Sequence, residues 1–206
     1  MESKICLIRH GITEGNVRRL YYGKTDVPLA QKGIDELKQL TEEGLYPDSG
    51  AARFFTTGLT RTTQTRELIY GDRPQEVIDD LQEINFGEFE MKSYEQLLEN
   101  PDYRDWITAE NLDKIPPGGE SIRQFNKRVI RGFQELRRRH SLRSLQLRHH
   151  DEEALSVVIC HGGTISSIMA HLWPDVHDNM YGWIPDPGHG YVLRLEDDRV
   201  VDYEAF

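Results

Sequence analysis

The sequence predicts an α/β fold with a mostly parallel sheet, and two alternating patterns indicate it. Short aliphatic runs, each about the length of one strand, occur at residues 4–9, 53–57, 76–78, 156–160 and 191–195. Between several of them, apolar residues recur at three- and four-residue spacing, which is typical of amphipathic helices. Strands that alternate with helices form a sheet covered on both faces. We therefore expect a three-layer α/β/α sandwich that binds its ligand beyond the carboxyl ends of the strands.

The first and fourth runs, KICLIR and SVVIC, are almost continuously apolar. Such runs are expected of central strands that are buried on both faces of a sheet. Apolar spacing predicts helices around residues 34–40, 59–69 and 122–136. The stretch at residues 141–155 is polar and charged, and we expect it to be an irregular surface connection.

Residues 81–120 interrupt the alternation of strands and helices. They are rich in acidic and aromatic side chains and end in the turn-forming sequence PPGG, so we interpret them as a small cap inserted over the edge of the sheet. Tyr94, Tyr103 and Trp106 are expected to form the cap's own small core rather than to stack on a ligand. Because the chain has no repeat, low-complexity tract or linker, residues 1–206 are expected to form a single domain.

Composition and charge argue against several classes of protein. The 206 residues include 25 Lys and Arg against 35 Asp and Glu, which gives a net charge of −10, and the mean hydropathy is −0.63. We expect a soluble, cytoplasmic protein, because no apolar stretch reaches the roughly 20 residues that cross a bilayer. The acidic balance argues against nucleic acid or an anionic membrane as a partner. Cys6 and Cys160 lie in apolar runs and are expected to be buried thiols.

The first predicted strand ends in RHGITEGN, which places Arg9 and His10 directly before a glycine and a helix start. Backbone N–H groups and the positive end of a helix form an anion site even before side chains are counted. The planar guanidinium of Arg9 is suited to phosphate oxygens. This segment therefore predicts an anion site beside His10.

Three other strand ends carry matching chemistry. The fourth strand ends in CHGGT, so His161 repeats the order of strand, histidine, glycine and helix found at His10. Arg61 begins the helix after the second strand, and Glu83 follows the third strand among apolar neighbours. Charged groups gathered at one sheet edge cost desolvation energy unless a ligand neutralises them. The arrangement therefore favours an oxyanion site.

Five motifs carry a resemblance to a known family. RHGxTxxN, an arginine in a TxxTRTxxT-like helix start, LxEIxFGxxE, PGGES and a late HGG occur in this order between residues 5 and 165. Together they resemble the histidine phosphatase family, also called phosphoglycerate mutase-like. The resemblance implies a phosphoglycerate mutase-like α/β/α sandwich, a phosphohistidine mechanism, and no requirement for a metal or another cofactor.

By position, the resemblance implies that His10 is the nucleophile and Glu83 the proton donor, while Arg9, Arg61 and His161 hold the phosphate. His10 must be neutral to attack phosphorus, and a hydrogen bond must fix its tautomer. We expect a protonated His161 and the arginines to stabilise the equatorial phosphate oxygens. Further contacts to phosphate or substrate are expected from Asn16, the backbone N–H of Gly162, Tyr22, Gly23 and Lys24.

The chain departs from the family pattern in two places. TGL replaces the usual SPL before Arg61, and Met91 replaces the glycine that usually follows Glu90. Glycine still permits the first turn. The second change concerns the cap and therefore substrate choice.

We expect a phosphomonoesterase that hydrolyses a small-molecule phosphate ester, with two alternatives open. Family mutases typically have a longer cap with an arginine pair, whereas residues 100–121 hold only Arg104, which favours a phosphatase. A non-catalytic phosphate-binding module would need neither His10 nor Glu83. The pattern YxGxTDxPL is similar to α-ribazole phosphatases and to broad small-molecule phosphatases, so the substrate stays open, as does a homodimer.

Three further histidines are weaker candidates. His189 precedes the fifth strand and is a candidate for the mouth of the pocket. His149 and His150, followed by Asp151, lack the spacing of a metal site.

Overall fold

The structure, a computed structural model, describes residues 2–108, 112–147 and 153–206. Its strands in chain order are β1 (Glu2–Arg9), β2 (Arg53–Thr56), β3 (Gln75–Val77), β4 (Ala154–Cys160), β5 (Gly190–Glu196) and β6 (Arg199–Ala205). They form one sheet in the order β3-β2-β4-β1-β5-β6. The first four strands run parallel, whereas β5 is antiparallel to β1 and β6 is antiparallel to β5. The predicted mostly parallel sheet is confirmed.

Helices cover both faces of this sheet. In chain order they are α1 (Glu14–Val17), α2 (Gln31–Glu42), α3 (Thr60–Tyr70), α4 (Tyr94–Leu97), α5 (Pro101–Ile107), α6 (Ile122–Leu147) and α7 (Gly162–Leu172). In the ranges that the structure describes, none of the helices is long and apolar enough to cross a membrane.

The core around the sheet lies in two clusters of described residues, one on each face of β1. Ile5 and Leu7 belong to a cluster built with α6 and α7, whereas Cys6 and Ile8 belong to a cluster that includes Leu37 of α2. Alternate residues of a strand point to opposite faces of a sheet, so β1 is buried on both sides. The three-layer α/β/α sandwich predicted from the sequence is confirmed.

The pairing of β1 with β4 positions the two histidines of the predicted site. The strands are parallel neighbours, with Arg9 opposite Cys160, and the backbone N–H of His10 donates to the carbonyl of Cys160 at 3.0 Å. His10 and His161 each follow directly, so they leave the sheet side by side at its carboxyl edge. Both cysteines are buried free thiols, as expected.

The structure corrects the prediction of an irregular connection at residues 141–155. Helix α6 continues to Leu147, because His140, Ser144 and Leu147 are buried at three- and four-residue spacing along it. The predicted irregular segment is therefore wrong over its first half. His149, His150 and Asp151 lie outside the described residues.

Strand β6 was not expected from the sequence. It is an edge strand with mostly exposed, partly charged residues, so it lacks the apolar run that marks the inner strands. Asp197 and Asp198 both have positive φ values, 45° and 66°, and join β5 to β6 in a two-residue hairpin. Acidic residues before a polar alternating run are the local signal that predicts such a turn.

The cap at residues 81–120 holds α4, α5 and a short 3₁₀ turn at Gly87–Phe89. Its small core is formed by Phe89, Leu97 and Tyr103, with Trp106 packed against it. Tyr103 is fully buried there, whereas half of Tyr94 is exposed. Tyr103 thus serves the packing of the cap, as expected, whereas Trp106 packs against that core and also lines the main pocket of the described structure.

Candidate active site

The predicted strand ends meet at one pocket of about 480 Å³. This volume lies in the usual range for small-molecule sites, roughly 300 to 1,000 Å³. The predicted site residues that line it are Arg9, His10, Asn16, Tyr22, Arg61, Glu83 and Gly162. The structure therefore brings together residues from both ends of the chain that the sequence separates by about 150 positions.

His10 is buried, and one ring nitrogen faces a fixed hydrogen-bond acceptor. Its Nδ1 lies 2.8 Å from the carbonyl oxygen of Gly11. Because a carbonyl can only accept, we assign the ring proton to Nδ1, which leaves a lone pair on Nε2. Burial, and then the nearby Arg61 guanidinium, hold the pKa of His10 well below its ordinary value. A neutral imidazole with an available Nε2 is the form that can act as a nucleophile.

His161 lies beside His10, with the ring centroids 5.3 Å apart and the planes at 66°. Arg61 Nε donates to His161 Nδ1 at 3.3 Å, so Nε2 carries the proton and donates to Thr57 Oγ1 at 2.9 Å. Burial, and then Arg61, lower the pKa of His161 well below its ordinary value. The protein alone thus holds His161 neutral, in contrast to the protonated form expected from the sequence, because a second buried cation beside Arg61 is disfavoured.

Two arginines bring positive charge into the pocket. Arg61 is fully buried and donates to the carbonyl oxygens of Gly23 at 2.6 Å and Thr25 at 3.0 Å. Arg9 donates from Nη1 to the carbonyl of Pro185 at 2.7 Å, while its buried Nε has no hydrogen-bond partner among the described residues. Within the described residues, neither arginine has a carboxylate oxygen within 4 Å. Guanidinium groups stay charged when buried, so the pocket is suited to an anion.

Gly23 and Lys24 lie behind Arg61 rather than in the pocket lining. Gly23 is buried, and a side chain there would overlap with the carbonyl oxygen of Ile84. Lys24 is exposed, and its backbone N–H donates to the carboxylate of Glu90 at 2.9 Å. The contact of both residues with substrate stays a prediction, while the carbonyl of Gly23 also helps to orient Arg61. Glycine is needed here because two backbone segments approach closely.

Glu83 faces the pocket from the segment that follows β3. Its Oε2 accepts the N–H of Gly163 at 2.9 Å, and its Oε1 accepts the N–H of Ile84 at 3.0 Å. Gly163 lies in the first turn of α7, where unpaired N–H groups and the helix dipole favour an acidic group. The carboxyl group is thereby fixed near the ends of β1 and β4.

Asn16 and Tyr22 form a small network at the edge of the pocket. The Oδ1 atom of Asn16 accepts from the Thr13 N–H at 3.0 Å and from the Tyr22 hydroxyl at 2.8 Å. The amide nitrogen of Asn16 is then the atom left to donate to a ligand. The ring of Tyr22 also lies under the Arg61 guanidinium, 5.1 Å from centroid to Cζ.

The apolar wall of the pocket has no counterpart among the residues predicted from the sequence. The apolar and aromatic side chains that line it are Leu20, Tyr21, Ile84, Phe86, Trp106, Ile107, Ile122, Phe125, Met180, Tyr181 and Ile184. Most of them lie in the cap, in α6 or in and just after the 3₁₀ turn at Met180–Trp183. In such places packing alone is enough to explain apolar residues, so the sequence gives no signal for a pocket wall. His189 is not part of the lining, and its Nδ1 faces the carbonyl of Pro187 at 3.2 Å. Of the described His, Cys, Asp and Glu residues, no three or more are grouped so that they could hold a metal ion.

The fold and this arrangement of residues agree with the comparison to known proteins. The chain belongs to the histidine phosphatase superfamily (branch 1), whose family model matches residues 5–202. The family expected from the motifs is confirmed.

Two relatives and one solved structure illustrate the range of similar proteins. An adenosylcobalamin/alpha-ribazole phosphatase of Salmonella typhimurium is 30% identical over 173 residues, which cover 82% of this chain and 79% of that protein. A 2,3-bisphosphoglycerate-dependent phosphoglycerate mutase of Xanthobacter autotrophicus is 31% identical over 136 residues, covering 61% and 64%. The crystal structure of the alpha-ribazole phosphatase from Shigella flexneri matches with a TM-score of 0.72 and 27% identity, covering 96% and 95%. The similarity to phosphatases supports hydrolase activity.

Proposed function

We propose that this protein is a phosphomonoesterase that forms a phosphohistidine on Nε2 of His10. The observation that carries the proposal is a buried, neutral His10 whose Nε2 shares a pocket with Arg9 and Arg61. A phosphate dianion would form the direct ion pair that these arginines lack among the described residues, and would place phosphorus next to the nucleophile.

In the first step, the lone pair of His10 Nε2 attacks phosphorus and the bond between phosphorus and the ester oxygen breaks. Glu83 gives its proton to the departing oxygen, which leaves as an alcohol. In the second step, a water oxygen attacks the phosphohistidine and the N–P bond breaks. Glu83 takes a proton from that water, so inorganic phosphate leaves and His10 returns to its neutral form. No metal or other cofactor takes part in this scheme.

The arginines and His161 stabilise the oxygens of the transferring group in this proposal. Arg9 and Arg61 donate from fixed positions, so little reorganisation is needed as charge shifts in the transition state. A phosphate dianion beside His161 favours its protonated form, because a nearby opposite charge stabilises the charged state. The N–H of Gly162 and the amide of Asn16 complete the set of donors.

The apolar wall supports an ester with a bulky, aromatic organic part. Tyr21, Phe86 and Trp106 provide ring surfaces on one side of the pocket, and Tyr181 provides another. An α-ribazole phosphate, the class in the names of the similar phosphatases, fits this lining, and we propose it as the first substrate to test. A mutase acting on a carboxylate substrate is less well supported, because Arg9 and Arg61 are the cations of the described lining and Arg104 lies outside it.

The test is release of inorganic phosphate from aryl, sugar, nucleotide, glycerate and ribazole phosphates in the presence of EDTA. Wild-type turnover that disappears in His10→Ala, while His189→Ala keeps it, supports the proposal. Quenching with alkaline SDS after mixing with a ³²P-labelled ester should trap an alkali-stable, acid-labile phosphoenzyme in wild type and none in His10→Ala. Phosphate release by His10→Ala at the wild-type rate would refute the phosphohistidine. Binding of phosphate without any turnover would favour the binding module.

A further inference from the structure

The guanidinium group of Arg128, on α6, donates all five of its N–H groups to residues 80–83 and to the carboxylate of Glu120. Nη1 donates to the carbonyl oxygens of Asp80 at 2.9 Å and Gln82 at 3.0 Å. Nη2 donates to the carbonyl of Glu83 at 3.3 Å and to Glu120 Oε1, and Nε donates to Glu120 Oε2 at 3.2 Å. A planar group with five fixed donors is well suited to hold several acceptors at defined positions.

Glu120, the ion-pair partner of Arg128, also binds the backbone that follows Glu83 in the chain. The Oε1 atom of Glu120 accepts the backbone N–H of Asn85 at 3.0 Å, and the Glu120 N–H donates to the Asn85 carbonyl, also at 3.0 Å. The side chains of Arg128 and Glu120 are about one-fifth exposed, at 21% and 18%. Their ion pair is therefore more shielded from water than an ordinary surface pair.

The segment that carries Glu83 has little regular structure of its own. After the 3₁₀ turn at Asp79–Leu81, Gln82 and Glu83 belong to no helix or strand, so their carbonyl groups have no ladder partners. Arg128 supplies donors to both of these carbonyls. In the described part of the chain, the Glu83 carboxylate oxygens accept hydrogen bonds from the Gly163 and Ile84 N–H groups alone.

We propose that Arg128 is a positioning residue that fixes the backbone at Glu83, so that the carboxyl group reaches the oxygen of the leaving group. Arg128 does not line the pocket, so it acts through Glu83 and not on the substrate. The inference rests on the proposed role of Glu83 as proton donor. Proton transfer requires a heavy-atom distance of about 2.6 to 3.2 Å, and a displacement of about 1 Å can cost on the order of 10²-fold in rate.

Two substitutions separate geometry from charge. Arg128→Met removes the donors and the charge, whereas Arg128→Lys keeps the charge but offers at most three donors from a single atom. The matched control is Arg131→Met. Arg131 lies three residues further along α6 and contacts the same segment, but through the Asp80 carboxylate, with both bonds at 2.6 Å. Its side chain is 65% exposed, and it does not reach Glu83.

The assay compares kcat/KM for p-nitrophenyl phosphate and phenyl phosphate, two esters of similar shape. p-Nitrophenolate is a weak base and leaves with little help from a proton donor, whereas the more basic phenolate needs protonation as it leaves. The value of kcat/KM reports the steps up to formation of the phosphoenzyme, so it excludes the second half-reaction. A purely structural defect reduces the active fraction and lowers both values equally.

We expect Arg128→Met and Arg128→Lys to lower kcat/KM for phenyl phosphate by about 10- to 100-fold, with less than about threefold change for p-nitrophenyl phosphate. Arg131→Met should leave both near wild type. Equal losses on the two esters, no loss in either variant, or a selective loss in Arg128→Met alone would each overturn the positioning role. If Arg128→Met does not fold, Arg128→Lys alone decides by the same comparison.

Glu83→Gln distinguishes failure of this inference from failure of the proposed function. A selective loss on phenyl phosphate in Glu83→Gln, without one in the Arg128 variants, leaves the proton donor in place and removes Arg128 from its support. If Glu83→Gln shows no selective loss, the proton-donor assignment itself fails, and the inference fails with it.

Discussion

Gly163 is the residue whose substitution best isolates the position of the Glu83 carboxyl group. A methyl group built on Gly163 would overlap with Glu83 Oε1 and lie 3.1 Å from its Cδ, whereas ordinary van der Waals contact begins at 3.4 Å. The obstacle is the far end of a flexible side chain, so the carboxyl group can move away. We estimate a shift of several tenths of an ångström up to about 1 Å, enough to weaken the bond to the Gly163 N–H.

Gly163→Ala should therefore change activity and stability in opposite directions. Displacing the proton donor by this distance should lower kcat/KM for phenyl phosphate by about 10- to 100-fold and leave p-nitrophenyl phosphate nearly unchanged. Gly163 lies within α7, where alanine favours the helix by up to about 1 kcal/mol over glycine. The free energy of unfolding, measured with urea, should thus stay equal or rise.

A double-mutant cycle tests whether the alanine acts through Glu83. In the Glu83→Gln background the proton donor is already absent, so adding Gly163→Ala should cost little more on phenyl phosphate. Additive losses would show that the methyl group disturbs something other than the carboxyl group. Wild-type kcat/KM for phenyl phosphate in Gly163→Ala would refute the requirement for this position of Glu83.

Three other predictions concern the anion site, the core and the apolar wall. Inorganic phosphate should raise the Tm of wild type but not of Arg61→Met, because binding to the folded state stabilises it by mass action and the arginine supplies the charge. Burial lowers the pKa of His140 to about 4, so between about pH 6.5 and 4 the histidine binds a proton in the unfolded state but not in the folded state. The free energy of unfolding should therefore fall by about 3 kcal/mol as pH drops through this range. Urea unfolding of His140→Gln should show a weaker decline over that window, and an identical decline would contradict the assignment. Tyr181 is 64% exposed and lines the pocket, so Tyr181→Ala should raise KM for aromatic esters several-fold and spare glycerol phosphate; equal effects on both would contradict an aromatic contact.

The fold was predictable because its central strands are distinctive. KICLIR and SVVIC are apolar on both faces, and each is followed by a histidine and glycine, so the adjacency of β1 and β4 and the grouping of the site follow from the α/β rule. The edge strand β6 and the last turns of α6 lack that signal. Their polar residues face solvent, and the periodicity that remains, such as His140 with Ser144 and Leu147, includes types usually found at the surface.

The site was predictable where the chemistry requires a particular side chain, but not where it requires a particular backbone conformation. Charged residues at strand ends are conspicuous, whereas the roles of Gly23 and Lys24 depend on which atoms of a loop face inwards. In this loop the backbone carbonyl of Gly23 faces Arg61, and the Lys24 N–H faces Glu90. The motif that predicts a substrate contact thus also supplies a carbonyl that orients Arg61, and the sequence alone does not indicate that second role.

The protonation of His161 follows from the same placement of charge. Thr57 and Arg61 engage the two ring nitrogens of His161, one as acceptor and one as donor, which matches a neutral ring. A protonated His161 would have two donor nitrogens, and one of them would face the Arg61 N–H. Binding of a phosphate dianion must therefore draw Arg61 away from Nδ1 before His161 can gain a proton. In our proposal, the bond from Arg61 to His161 is thus exchanged for bonds from both groups to the phosphate, which links occupancy of the pocket to the charge of its second histidine.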